Sequence, residues 1–198
     1  MEVNTTILTI SILVAFSGWA KFLYDILTNK PKISGQIVNV IIGDMANVDN
    51  PSGALTACIV YIYLTNKRRN SVHILDYELE IDLGSGFEKL MRMYGVQNVK
   101  DWHFTSETHK IEIPDFNRKL IYAENKPVEY GSPLHGFVLF ASKKPQSSYI
   151  SNLSTNKYKV PIIDAFQNKH KIITSANEFP NLFLLQDLAG IKLTSLKK

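Results

Sequence analysis

Between residues 101 and 109 the chain gathers Asp101, Trp102, His103, Ser106, Glu107, Thr108 and His109. An acid, hydroxyls and two imidazoles are the parts of a hydrolytic site. Such a site works only if hydroxyl, imidazole and carboxylate converge within hydrogen-bond reach, which adjacency in sequence does not provide. The segment therefore reads first as an ordinary loop, with Trp102 partly buried and Trp102, His103 and His109 as candidate contact residues. The other histidines, His73, His135 and His170, stand in no metal-ligand spacing. P-loop, dinucleotide and nucleophile-elbow patterns are absent, and Gly84-Ser85-Gly86 is explained by a hairpin turn. The one cysteine, Cys58, sits in an apolar run and reads as a core filler, so no Cys-based zinc site exists. The expectation is a chain with no catalytic residue, no metal and no cofactor.

The sharpest pattern is acidic. Asp76, Glu78, Glu80 and Asp82 alternate with Tyr77, Leu79, Ile81 and Leu83. On a strand this puts four like charges on one face, about 7 Å apart. They need neutralising. Cross-strand pairing with Lys89 or Arg92, or plain solvation, is the simplest answer. A basic partner protein is the second, and calcium the last, because a flat row diverges where a calcium site converges.

These residues must be carried by strands. Residues 33–42 and 55–65 are apolar and β-branched, and the second run is apolar on both faces, as in a strand buried on both sides. Residues 72–83 and 87–94 form a hairpin about the glycine turn. Further strands are expected at 109–113, 136–142, 158–166 and 170–174, the last two joined by a turn at 167–169. Residues 114–133 read as a long connection, and 182–189 as a short helix capped by Asn181 and closed by Gly190. About eight short strands with little helix predict a mainly β fold, an antiparallel Ig-like sandwich. No Cys…Trp…Cys pattern is present, so the domain is not of antibody type.

Ahead of these strands, residues 3–20 carry no charge. They predict a transmembrane helix over residues 1–28, a juxtamembrane linker over 29–35 and a β-sandwich domain over 36–198. Ile7, Leu8, Ile12 and Leu13 are its apolar anchors. Trp19, Phe22 and Tyr24 form an interfacial aromatic group, and Lys21 can snorkel or pair with Asp25. Pro31 ends the helix. The alternative is a cleaved signal peptide, but residues 1–4 lack the positive charge such a leader needs. Lys21, Lys30 and Lys32 lie after the apolar run and no basic residue precedes it, which puts the domain in the cytoplasm. The opposite orientation would expose the sequons at Asn4 and Asn152.

The net charge of +4 is modest and scattered, in short clusters at residues 67–69, 143–144 and 197–198. It lacks the dense basic stripe of a nucleic-acid reader. Solvated turns explain such clusters, with anionic lipid as the other possible contact. The partners expected are the lipid bilayer and another protein, with no nucleic acid.

Three pieces carry a resemblance. They are the strand Tyr61-Ile62-Tyr63-Leu64-Thr65-Asn66 ending at a basic turn, Gly136-Phe137-Val138-Leu139-Phe140, and Asp164-Ala165-Phe166 running into His170-Lys171-Ile172. Over about a quarter of the chain they resemble prokaryotic membrane-tethered or secreted Ig-like β-sandwich modules. The resemblance implies a sandwich with a non-enzymatic binding or scaffolding role and transfers no site residue. The preferred expectation is thus a membrane-anchored binding module using loops 101–109 and 114–133. A membrane-associated hydrolase using the 102–109 loop and a secreted protein released by signal peptidase are the alternatives.

Overall fold

The computed structural model describes residues 2–45, 55–96, 99–105, 109–150, 155–176 and 184–195. Helix α1 (Glu2–Asn29) precedes eleven strands: β1 (Ile33–Met45), β2 (Leu55–Asn66), β3 (Ile74–Tyr77), β4 (Leu79–Asp82), β5 (Phe87–Met93), β6 (Trp102–Thr105), β7 (His109–Ile113), β8 (Leu134–Ser142), β9 (Lys157–Asp164), β10 (Lys169–Ser175) and β11 (Lys192–Ser195). Two short helices, α2 (Ser147–Ile150) and α3 (Leu184–Ala189), and a 3-10 turn (Phe116–Lys119) fill the connections. The fold is mainly β, and its sheet pairings are antiparallel.

One sheet runs β1-β2-β8-β5-β4-β9-β10, with β3 also on β9, and a second runs β11-β7-β6. The ends of the long sheet meet: Gly35 on β1 lies against Ile172 on β10, leaving no room for a Cβ. Inside this curl Cys58, Val60, Ile62 and Leu64 of β2 pack with Val138 and Phe140 of β8, Leu79 and Ile81 of β4, and Val160 and Ile162 of β9. Ala57, Ile59 and Tyr61 of β2 point the other way. They meet Phe137 and Leu139 of β8 under a cover formed by Trp102, Phe104, Ile111 and Ile113. The strand expected to be buried on both faces is so buried, because a second small sheet lies over the outside of the first. Cys58 is fully buried and burial pushes its thiol up to about 12, so it is a core filler.

Local chemistry accounts for two irregularities. Pro161 on β9 faces Glu78, whose N–H donates to the Pro161 carbonyl at 2.9 Å. Proline has no N–H to return, and the strand expected at 72–83 is broken at Glu78 into β3 and β4. Gly136 on β8 sits under the chain at residues 119–121, where a Cβ would stand 2.9–3.0 Å from backbone atoms.

Some boundaries differ from the sequence expectation. Strand pairing starts at Ile33, inside the stretch expected to be linker, because Ile33 is buried opposite Asn66 and the Ser34 and Thr65 hydroxyls bond at 2.9 Å. Residues 102–105 form a strand where a loop was expected, and β11 was not foreseen. The 114–133 connection is ordered by Phe116, Leu120, Ile121 and Val128, all buried. Helix α3 ends as expected at Gly190 (φ 58°), whose N–H reaches the Gln186 carbonyl at 3.0 Å. Asn181 and the start of that expected helix lie outside the described residues.

No described side chain of helix α1 contributes to either core. Its described apolar side chains, among them Ile7, Ile12, Leu13, Trp19, Phe22 and Tyr24, are exposed all round, while the side chain of Leu8 lies outside those described. Over the described residues, no helix is long and apolar enough to cross a membrane.

Gly136→Ala is expected to destabilise the full chain by about 1–3 kcal/mol, because backbone, not a flexible side chain, would have to move. Urea denaturation in mild detergent checks it: the midpoint falls, with the slope unchanged.

Candidate functional site

The acidic stripe is neutralised from both sides. On β3, Asp76 pairs with Arg92 of β5. Glu78 accepts from Lys89 of β5 at 2.6 Å, and Glu80 from Lys159 of β9 at 2.6 Å. The hydrogen bond to Glu78 raises the Lys89 ammonium above its ordinary value. Asp82 accepts the N–H groups of Gly84 (2.9 Å) and Gly86 (3.1 Å) and so forms the hairpin turn. The cross-strand answer accounts for three acids and a turn for the fourth. A basic partner at this stripe would have to displace internal cations.

Arg92 has a setting the sequence did not disclose. Its guanidinium lies 4.3, 4.9 and 5.3 Å from the ring centres of Tyr94, Tyr122 and Tyr77, in addition to its pair with Asp76. Continuing the β4–β5 register, in which Leu79 faces Leu90, puts Tyr77 opposite Arg92. That cross-strand pair is the part a sequence could reveal. Tyr122 arrives from the distant connection, tied by its hydroxyl to the Met93 carbonyl at 2.7 Å. The planar guanidinium suits stacking on several rings, so the cluster is a clasp between hairpin and connection.

The 101–109 segment does not act as one loop. Trp102 is 7% exposed, stacked on Phe104 and edge-on to Phe116 at 4.9 Å, so it is a core residue. His103 is exposed on the opposite face of β6, with Nδ1 4.0 Å from Glu112 of β7. Glu112 also takes Lys192 of β11 at 2.5 Å, a bond that lowers its pKa. Asp101 accepts the Asp115 N–H at 2.9 Å. Ser106, Glu107 and Thr108, and the side chain of His109, lie outside the described residues.

A half-open cleft of about 340 Å³ lies between residues 118–126, residues 133–136 and α3. Within it the Tyr61 hydroxyl donates to the Leu188 carbonyl (3.1 Å) and stands 2.7 Å from Nδ1 of His135. Burial pushes Tyr61 up to about 12, so it is a donor and not a base at neutral pH. Lys119 closes the end of α3 by donating to Ala189 (2.6 Å) and Gly190 (3.0 Å). Among the described residues no three of the His, Cys, Asp and Glu side chains are placed to hold a metal ion.

The end of the domain that follows α1 is differently built. Lys67 N–H donates to the Lys32 carbonyl at 3.0 Å, which sets the turn at residues 66–70 beside the exit of the helix. The turn hangs on the buried amide of Asn66. Its Nδ2 donates to Asn70 (2.6 Å) and Val128 (3.3 Å), and its Oδ1 accepts the Arg68 N–H (3.0 Å). The neighbouring turn at residues 164–169 hangs on Asp164, which is 0% exposed. Asp164 accepts the N–H groups of Phe166 and Asn168 (both 2.9 Å), the Asn168 amide, and Nε2 of His170 at 2.9 Å. Burial works to raise the Asp164 pKa, but the bonds from His170, Asn168 and the backbone outweigh it and hold the carboxyl below the usual range.

Comparison with protein-family models, with curated proteins and with solved structures finds no match to this chain.

A depressed carboxylate stabilises the fold above its unfolded value of ~3.9 and loses that contribution as pH falls through its lower folded value. Asp164→Asn is therefore expected to be less stable than the parent at neutral pH by about 2–3 kcal/mol. The gap should close as pH drops below ~3.9 towards the folded value, followed by denaturant midpoints across an acid pH series.

Proposed function

We propose that the chain is a single-pass, membrane-anchored, non-catalytic binding or scaffold module that presents its mainly β domain beside the bilayer, with the domain in the cytoplasm. The observation that carries the reading is α1. It has 28 residues, a length of about 42 Å, against a hydrocarbon core of about 30 Å; over the described residues it falls short of the length and apolarity of a membrane span, so the reading leans on the uncharged run at residues 3–20. The described apolar side chains of α1 point outward, and the domain buries none of those described. In water such a surface is unfavourable; hydrocarbon removes the penalty. Trp19 and Phe22 stand edge to face at 5.9 Å at the level of Lys21, as at a membrane–water boundary.

The orientation rests on Lys21, Lys30 and Lys32 after the apolar run and none before it. The binding role rests on the resemblance to tethered sandwich modules and on Asp76, Glu78, Glu80 and Asp164, which are engaged in ion pairs and a turn.

Carbonate extraction and protease protection test this reading together. The chain is expected to stay with the membrane pellet, with its initiating end intact. The β-domain should resist protease in cells stripped of any outer envelope and be digested after lysis. Release into the supernatant with a new terminus at Lys21 would overturn the anchor. Digestion before lysis would reverse the orientation.

A further inference from the structure

We infer that the end of the β-domain next to α1 is a lipid-facing surface that docks on anionic phospholipid head groups. The inference rests on the anchored reading above and names the face the domain turns to the bilayer. Only residues 30–32 separate α1 from β1, a reach of about 10–11 Å at full extension. That keeps this face near the bilayer surface, where basic side chains that reach the head groups are attracted by anionic lipid.

The surface is cationic and the cations are unspent. Lys67, Arg68, Arg69 and Lys169 stand with Lys30 and Lys32 at this end, and none forms an ion pair with a described carboxylate. The acids beside them are Glu129, which is exposed, and Asp164, which is buried and occupied by its turn. At the opposite end Lys144 is paired with Glu88 at 2.5 Å, and Lys143 and Lys157 form no ion pair with a described carboxylate. Exposed apolar groups accompany the cations. Phe166 is 64% exposed at the tip of the Asp164 turn, Tyr130 is 61% exposed where it bridges to Asn66, and Leu75 is exposed at the bulge of β3 against β9.

The two turns are held, not loose. Buried Asn66 fixes the one carrying Arg68 and Arg69, and buried Asp164 fixes the one carrying Phe166 and Lys169. Basic side chains with interleaved aromatic tips, fixed at the exit of a membrane helix, match the chemistry of a leaflet containing phosphatidylserine or another anionic lipid.

The test uses the full chain reconstituted in vesicles of phosphatidylcholine alone, or of phosphatidylcholine with phosphatidylserine. Flotation comes first, then hydrogen exchange. The expected result is that the chain floats with both, and that amides of residues 66–73 and 164–169 exchange several-fold more slowly in the anionic vesicles. The hairpin at residues 84–86 should not change. Arg68→Gln with Arg69→Gln should abolish the difference, and Lys144→Gln should leave it intact. Equal exchange of these turns in both vesicles, with flotation intact, overturns the lipid-facing surface alone. Failure to float overturns the anchor and this inference with it.

Discussion

The structure depends on β2 being apolar on both faces. A strand of this kind cannot lie on the surface of a two-layer domain, because one row of side chains would stay in water. The curled sheet buries Cys58, Val60, Ile62 and Leu64, and the outer row of Ala57, Ile59 and Tyr61 obliges the chain to supply a second cover. The sheet of β6, β7 and β11, with the turn at Phe116 and helix α3, is that cover. β8 shares the constraint, with Val138 and Phe140 on one side and Phe137 and Leu139 on the other.

Two layers on one central pair leave the chain's functional possibilities at its ends. At the end away from α1 some of the charges are paired internally, such as Lys144 with Glu88 and Lys159 with Glu80. At the end beside α1, buried Asn66 and Asp164 spend their hydrogen bonds on shaping turns and leave the cations those turns carry without partners. None of the described apolar side chains of the helix is buried by the domain. On the proposed reading its apolar surface meets hydrocarbon, and the same placement would give the cations a head-group surface to meet.

Much of this was legible in the sequence. The two-faced apolarity of residues 55–65 and the alternation from Asp76 to Leu83 each follow from one strand and a period of two, and both describe the structure. What escaped was whatever required distant segments to meet. β11 is a short, largely exposed strand whose existence depends on β7, some 80 positions earlier. Trp102 read as loop because its burial depends on Phe104 and Phe116 packing over β2. The Arg92 clasp needs Tyr122 from the long connection. Asp164 looked like part of an ordinary hairpin, since nothing local says that its carboxylate is buried.

The two tryptophans offer the most direct test that α1 lies in lipid. Trp19 is 65% exposed on the helix and Trp102 is 7% exposed in the outer core. The measurement is fluorescence quenching of the full chain in vesicles whose lipids carry bromine at defined depths along the acyl chain. Quenching is expected to be strongest from shallow positions, near the head groups, and to disappear in Trp19→Phe, which leaves only Trp102. If the parent chain were unquenched at every depth, or if Trp19→Phe were quenched as strongly, the helix would not be in the bilayer and the membrane reading would fail.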